Sequence, residues 1–292
     1  MSGVFPRVAI VGVGLIGGSL GMALKNRRLA QTVVGVGRET GRLEIARDLG
    51  AIDDLTTDLA AGVYQADLVV LATPVPQILA DLPRLASLLS PGAIVTDVGS
   101  TKEQIVRAGD DALPAGAFVA GHPMAGSERS GVEAAHAELF IEATWALTPT
   151  AQTDENALAR VRALAQAVGA RTLVLDPNAH DRAVAVTSHL PHVLAYALAA
   201  LAGEAAKSTP HLYDLAAGSF ASATRVAGSS PDLWQGIALS NRDALADALR
   251  AFRSDLDATL AALESGDASA LLEAFARGFD AKQSASSVSP QP

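Results

Sequence analysis

Cysteine is absent from the 292-residue chain. Its absence removes disulfides, thiolate catalysis and cysteine-based zinc sites together, and it fits a reducing compartment. Charge is scarce too. Asp, Glu, Lys and Arg make up 18% of the residues, below the usual quarter, and the balance is acidic, with a net charge of -9. No basic patch stands out, so neither nucleic acid nor an anionic membrane surface is an expected partner. No apolar run reaches about 18 residues without a glycine or a charge, so no membrane span is expected. The N-terminal MSGVFPRVAIVGVG has no charged segment ahead of its apolar run, so no signal peptide is read. Together these absences suggest a soluble, cytoplasmic protein. Apolar residues are plentiful, at 49%, enough for a sizeable core and for two domains.

As far as about residue 175, short β-branched runs alternate with helical patterns. The runs are Val8–Val11, Val33–Val36, Leu68–Ala72, Ala93–Thr96, Phe118–Ala120, Thr144–Thr148 and Arg171–Leu175. Helical patterns at Gly18–Lys25, Gly41–Leu49, Pro76–Leu89 and Glu155–Val168 lie between them. This alternation predicts an α/β, Rossmann-type, doubly wound and mostly parallel sheet. At Asp176-Pro177 the pattern changes to a helix cap with proline in the first turn. The rest reads as all-α: Asn178–Leu201, Thr209–Val226, Pro231–Glu264 and Ala268–Phe279, with Ser230-Pro231 repeating the cap signal. The expected division is a dinucleotide-binding domain over 1–176, a helical domain over 177–280 and a disordered tail over 281–292.

Gly12-Val13-Gly14-Leu15-Ile16-Gly17 is a G-x-G-x-x-G between a strand and an amphipathic helix. Gly12 permits the turn, Gly14 lets backbone approach a pyrophosphate, and Gly17 lets helix and strand pack closely. The amides of Leu15 and Ile16 at the helix start suit phosphate. A glycine-rich turn without a ligand is the alternative. The second strand ends in Gly37-Arg38-Glu39, where a site for NAD usually places an acid. Arg38 suits a 2′-phosphate, which favours NADP or dual use. A solvated Arg38, or Glu39 acting from a shifted register, would point to NAD instead. Thr73-Pro74 closes the strand Leu68–Ala72 and lines the expected nicotinamide side, whether or not it also starts a helix.

Ser100, three residues before Glu103, reads as a capping box and also as a hydroxyl aimed at a ligand. In Gly121-His122-Pro123-Met124-Ala125-Gly126-Ser127-Glu128-Arg129-Ser130-Gly131, His122 follows a strand end, and Pro123 is expected to turn the chain out of regular structure. A neutral imidazole there can accept a proton near pH 7. Ser188-His189-Leu190-Pro191-His192 suits hydrogen-bonding histidines better than a metal. Arg225 lies among small residues and requires an anion, either a structural carboxylate or one on a substrate. Trp234 is a packing or dimer anchor on its own evidence.

Read in order, VAIVGVGLIGGS, TDVGSTK, GHPMAGSERSG, TSHLPH and TRVAGSSPDLW resemble the prephenate/arogenate (cyclohexadienyl) dehydrogenase family of tyrosine biosynthesis over residues 7–280. The resemblance implies oxidative decarboxylation of prephenate or arogenate with hydride transfer to NAD(P)+, and a homodimer formed through the helical domain. It makes His122 and Ser100 the catalytic pair. It places His189, Arg225, Trp234, Glu128 and Ser127 at the substrate, with Trp234 serving its own or the partner subunit's site. Some relatives have an acid three residues before the arginine; Ser222 stands there in this chain. A β-hydroxyacid dehydrogenase or imine reductase, and a non-enzymatic NADPH sensor, are the competing readings.

Overall fold

The computed structural model describes residues 5–288. Six strands form one parallel sheet: β1 (Phe5–Val11), β2 (Ala30–Val36), β3 (Asp54–Thr56), β4 (Leu68–Leu71), β5 (Ile94–Asp97) and β6 (Phe118–Val119), in the order β3-β2-β1-β4-β5-β6. Helices connect them: α1 (Leu15–Asn26), α2 (Thr40–Asp48), α3 (Leu59–Val63), α4 (Val75–Leu85) and α5 (Glu103–Ala112). Alternate residues of the central strands enter two different cores. Val8, Ile10, Leu68 and Val70 pack on one face; Ala9, Val11, Val69 and Leu71 pack on the other. Burial on both faces explains why these strands read as unbroken apolar runs rather than alternating ones.

The single expected sheet is in fact two. Gly121–Pro123 forms β7, antiparallel to β8 (Thr144–Leu147), and β8 pairs in parallel with β9 (Arg171–Val174). The helix α6 (Glu155–Ala167) lies between β8 and β9 in the chain. Pro123 therefore ends a strand rather than expelling the chain from one. It sits on the outermost strand of a three-stranded sheet, where proline is tolerated.

In the second half, the single expected helix over Asn178–Leu201 is one helical run, in which α7 (Pro177–Val184) passes into α8 (Leu190–Ala205) through a wide π-type turn at Ala185–His189. The Asp176 carboxylate caps α7 through the amides of Asn178 and Ala179 (2.9 and 3.0 Å). By length and hydropathy, Pro177–Ala205 is long and apolar enough to cross a membrane, which no uninterrupted run in the sequence suggested. Its His180, Asp181 and His189 are nevertheless buried and bonded inside the fold. Thr209–Val226 is not one helix. His211 takes a left-handed conformation, and only α9 (Gly218–Thr224) is α-helical. Pro231–Glu264 breaks at Asn241 into α10 (Pro231–Ser240) and α11 (Arg242–Ser265), because Asn241 turns its amide inward.

The chain separates into two compact units, one ending at Arg242 and one beginning at Asp243, whereas the sequence places its division near 176. The reason is local. Asp181 of α7 accepts hydrogen bonds from the amides of Lys102 and Glu103 (2.7 and 3.0 Å), and Thr101 donates to Ser240 of α10 (3.0 Å), so α7 and α10 are tied to the segment that follows β5. The second unit is a helical hairpin of α11 with α12 (Ala268–Val288). Helix α12 runs through 281–288, which the sequence assigned to a disordered tail; no glycine or proline interrupts Ala281–Val288. Residues 289–292 lie outside those described.

Candidate active site

The order β3-β2-β1-β4 places the reversal of winding between β1 and β4, where doubly wound sheets hold ligands beyond their carboxyl ends. Gly12 follows β1 and Thr73 follows β4. Gly12 has φ +99°, and a Cβ on it would lie 2.7 Å from the Ala72 carbonyl oxygen. A Cβ on Gly17 would lie 2.0 Å from the Gly12 carbonyl oxygen, so the first turn of α1 can approach β1 only with glycine there. A Cβ on Gly14 would meet nothing within 4 Å. The open side of the loop thus faces away from the chain, where a phosphate would approach the amides of Leu15 and Ile16. No side chain among the described residues caps α1. The buried Thr73 hydroxyl has no partner among the described residues, so a polar ligand group has a hydrogen-bonding site beside Gly12. These observations fit a dinucleotide. Pro74 stands immediately before α4, so the Thr-Pro turn starts a helix and borders this site at once. Gly17→Ala is expected to weaken NAD(P)H binding at least tenfold and to cost about 1–3 kcal/mol of stability through overpacking. Fluorescence titration checks the binding, and an unchanged Kd would contradict the assignment.

At the end of β2, Arg38 is exposed and makes no hydrogen bond or ion pair among the described residues. Glu39 is engaged by Arg42 (3.2 Å).

Ser100 and His122 come from the carboxyl-end region of neighbouring strands. The expected capping box is not formed. Helix α5 begins at Glu103, and its first amides are taken by Asp181. The Ser100 hydroxyl is half-buried with no hydrogen bond among the described residues. His122 sits where the chain passes from one sheet to the other. Gly121 is required at that crossing, since a Cβ on it would lie 2.8 Å from Trp145 Nε1 and 3.2 Å from the Asp97 carbonyl oxygen. Asp97 Oδ1 accepts from the Gly121 amide (3.1 Å). The wholly buried Lys102 ammonium bonds to Asp97 and donates to the Gly121 carbonyl (2.7 Å). The residue before His122 is thus held from both sides.

The His122 ring is buried, and its Nδ1 lies 2.9 Å from His180 Nε2. His180 Nδ1 lies 2.8 Å from Asp181 Oδ1. Burial, reinforced by His180, Lys102 and His189, holds the His122 imidazole well below its ordinary pKa, and therefore neutral. Neither His180 nor Asp181 stands out in the sequence. The one local signal is a His-Asp pair in the first turns of a helix starting at a change of pattern.

His189 closes the π-type turn, with its Nδ1 3.1 Å from Asn241 Nδ2. Burial lowers its pKa to about 4, opposed by Asp181 and reinforced by His180 and His192. The His192 ring stacks on Trp234, centroids 3.5 Å apart, while His189 meets the same indole edge-on at 5.9 Å. His192 Nδ1 donates to the Ser188 carbonyl (2.9 Å). Trp234 therefore rests against histidines of its own chain. Arg225 pairs with Glu128 at 3.2 Å, with both side chains open to solvent. Ser127 is exposed in the loop that carries Glu128.

The family description "Prephenate dehydrogenase, nucleotide-binding domain" matches residues 20–174, and "Prephenate dehydrogenase, dimerization domain" matches 176–277. A cyclohexadienyl dehydrogenase of Zymomonas mobilis is 38% identical over 273 residues, covering 93% of each chain. A prephenate dehydrogenase of Bacillus subtilis is 36% identical over 275 residues, covering 94% of this chain and 74% of the relative. The crystal structure of prephenate dehydrogenase from Aquifex aeolicus, in complex with hydroxyphenyl propionate and NAD+, superposes with a TM-score of 0.87. It has 32% identity and covers 95% of this chain and 97% of that one.

Proposed function

The chain belongs to the prephenate dehydrogenase family, and we propose that it carries out the oxidative decarboxylation of prephenate, arogenate or both in tyrosine biosynthesis. The observation that carries this reading is a neutral, buried His122 at the carboxyl edge of a sheet whose glycine loop and unpartnered Thr73 hydroxyl fit a dinucleotide. Bound NAD(P)+ supplies an acceptor for the hydride at ring C4. His122 Nε2 accepts the hydrogen bond of the C4 hydroxyl and draws the proton toward itself as that oxygen gains carbonyl character. The ring carboxylate then departs as CO2, its bonding electrons restore aromaticity, and the proton stays with the phenol oxygen. Substrate and oxidised cofactor thus give phenol, CO2 and reduced cofactor with no net proton. Ser100, whose hydroxyl is free to donate, orients the substrate hydroxyl. The enzyme's main contribution is alignment.

The carboxylate-binding group in this reading is Arg225, joined by His189, with Trp234 forming the wall behind the ring. Glu128 occupies the guanidinium until a substrate carboxylate replaces it, and Ser127 lies in the same loop. Arg225→Ala is expected to raise KM about tenfold or more while changing kcat little; an unchanged KM would remove Arg225 from the carboxylate site. The exposed Arg38 and the engagement of Glu39 with Arg42 support use of NADP or of both cofactors, although the Aquifex relative was crystallised with NAD+. The exposed Leu256, Leu260, Leu263, Leu272 and Phe275 of the C-terminal hairpin support a homodimer through that unit. An acidic, cysteine-free chain supports cytoplasmic location, with no nucleic acid or membrane as partner. A hydroxyacid dehydrogenase of similar architecture would require a lysine in the helical half. Only Lys207 and Lys282 follow residue 176, and Lys207 forms a surface pair with Glu204 at 2.6 Å.

Initial rates with prephenate and with arogenate, each against NAD+ and NADP+, test the proposal. Turnover in at least one pair is expected, and the four rates rank both specificities. No turnover in any pair, with NADPH still bound, would favour the sensor or imine-reductase readings.

A further inference from the structure

We infer that one buried network rooted at Asp181 fixes His122 and His189 in opposite tautomers, so that the first presents a bare ring nitrogen and the second an N–H. His180 and Asn241 act in it as positioning residues. This assignment rests on the proposed role of His122 and extends it to residues that act through the two histidines.

Asp181 is the anchor. Its Oδ1 accepts from the Lys102 amide at 2.7 Å, and its Oδ2 accepts from the Glu103 amide at 3.0 Å. These donors belong to the N-terminal end of α5, which favours a negative carboxylate. A carboxylate only accepts, so the 2.8 Å contact with His180 Nδ1 places a hydrogen on that nitrogen. With that nitrogen holding the ring's single proton, His180 Nε2 is an acceptor. Its 2.9 Å partner, His122 Nδ1, must donate. His122 consequently keeps its lone pair on Nε2, which makes no hydrogen bond among the described residues and is the atom required to receive the hydroxyl hydrogen bond.

The second branch runs the other way. Asn241 Nδ2 lies 2.7 Å from the Asp181 carbonyl oxygen, an acceptor only, so that atom is the amide nitrogen and not the oxygen. Its other hydrogen points to His189 Nδ1 at 3.1 Å, which must therefore accept. His189 then carries its proton on Nε2, as a donor suited to a substrate oxygen. Asp181, His180, His189 and Asn241 are all nearly excluded from solvent, so water does not compete for these bonds.

The test uses the full-length enzyme labelled with ¹⁵N-histidine and long-range ¹H–¹⁵N correlation. His122→Gln and His189→Gln identify the two signals. The expected spectrum shows His122 protonated on Nδ1 and His189 on Nε2. His122 protonated on Nε2, or His189 on Nδ1, would overturn the inference whether or not the enzyme turns over prephenate. Conversely, the expected tautomers without turnover would leave the network standing and remove the proposed reaction. His180→Phe is expected to mix the His122 tautomers and lower kcat about 100-fold with KM within about threefold, leaving the His189 signal in place. His180→Gln, whose amide oxygen can accept from His122 Nδ1, is expected to retain kcat within about tenfold of wild type. A His180→Phe enzyme with unchanged kcat and an unchanged His122 spectrum would also overturn the inference.

Discussion

Asparagine in place of His122 is expected to lower kcat by about 10²–10⁴-fold while NADPH binding stays within about twofold of wild type. The asparagine amide can still donate toward His180, but it cannot take a proton from the substrate hydroxyl. Because the substitution leaves the Gly12–Gly17 loop and Thr73 unchanged, cofactor affinity should not follow activity. The pH profile carries the same claim. The folded His122 titrates well below 6.5 through burial and its cationic or titratable neighbours Lys102, His180 and His189. The base is therefore already free at neutral pH, and kcat/KM should stay level as pH falls through 6.5, declining only in more acidic buffer. Near-wild-type turnover in the asparagine variant would remove His122 from its role.

Lys102→Met should cost about 3–5 kcal/mol of stability, the range for breaking a buried ion pair from one side. Lys102 and Asp97 are both wholly buried. Asp97 also receives the amides of Gly99 and Gly121 (2.8 and 3.1 Å), so the methionine variant leaves a carboxylate with two donors and no cation. Burial lowers the Lys102 pKa and the facing Asp97 opposes that shift, which is the balance expected when each charge depends on the other. Urea unfolding reads the effect as a fall in midpoint. Adding Asp97→Asn to Lys102→Met should recover part of the loss, because the uncompensated charge is gone. A single-variant loss below about 1 kcal/mol would show that the pair does not hold the His122 strand in place.

Strands buried on both faces were readable in the sequence because every residue of Val8–Val11 or Leu68–Leu71 must be apolar. The short β3, with Asp54 and Thr56, and β7, with Gly121 and Pro123, carry no such run, so nothing in their sequence marks them as strands. Helix starts at Asp176 and Ser230 were legible, since each cap bonds amides two or three residues on. Ser100 shows the opposite case. The amides it was expected to cap, those of Lys102 and Glu103, belong to a carboxylate 79 and 78 residues away along the chain. The break at Asn241 was likewise hidden, because the atoms that turn its side chain inward come from Asp181 and His189. Of the site, the residues on strand ends and in glycine loops were visible, whereas His180, Asp181, Asn241 and the Asp97–Lys102 pair were not. Their roles exist only once distant segments meet.

The most direct measurement of the central claim is the ratio of CO2 released to NAD(P)H formed with prephenate, or with arogenate, as substrate. The proposed chemistry predicts one CO2 for each reduced nicotinamide, together with an aromatic product. Reduced nicotinamide formed without CO2 would mean oxidation that stops short of aromatisation, and would contradict the account.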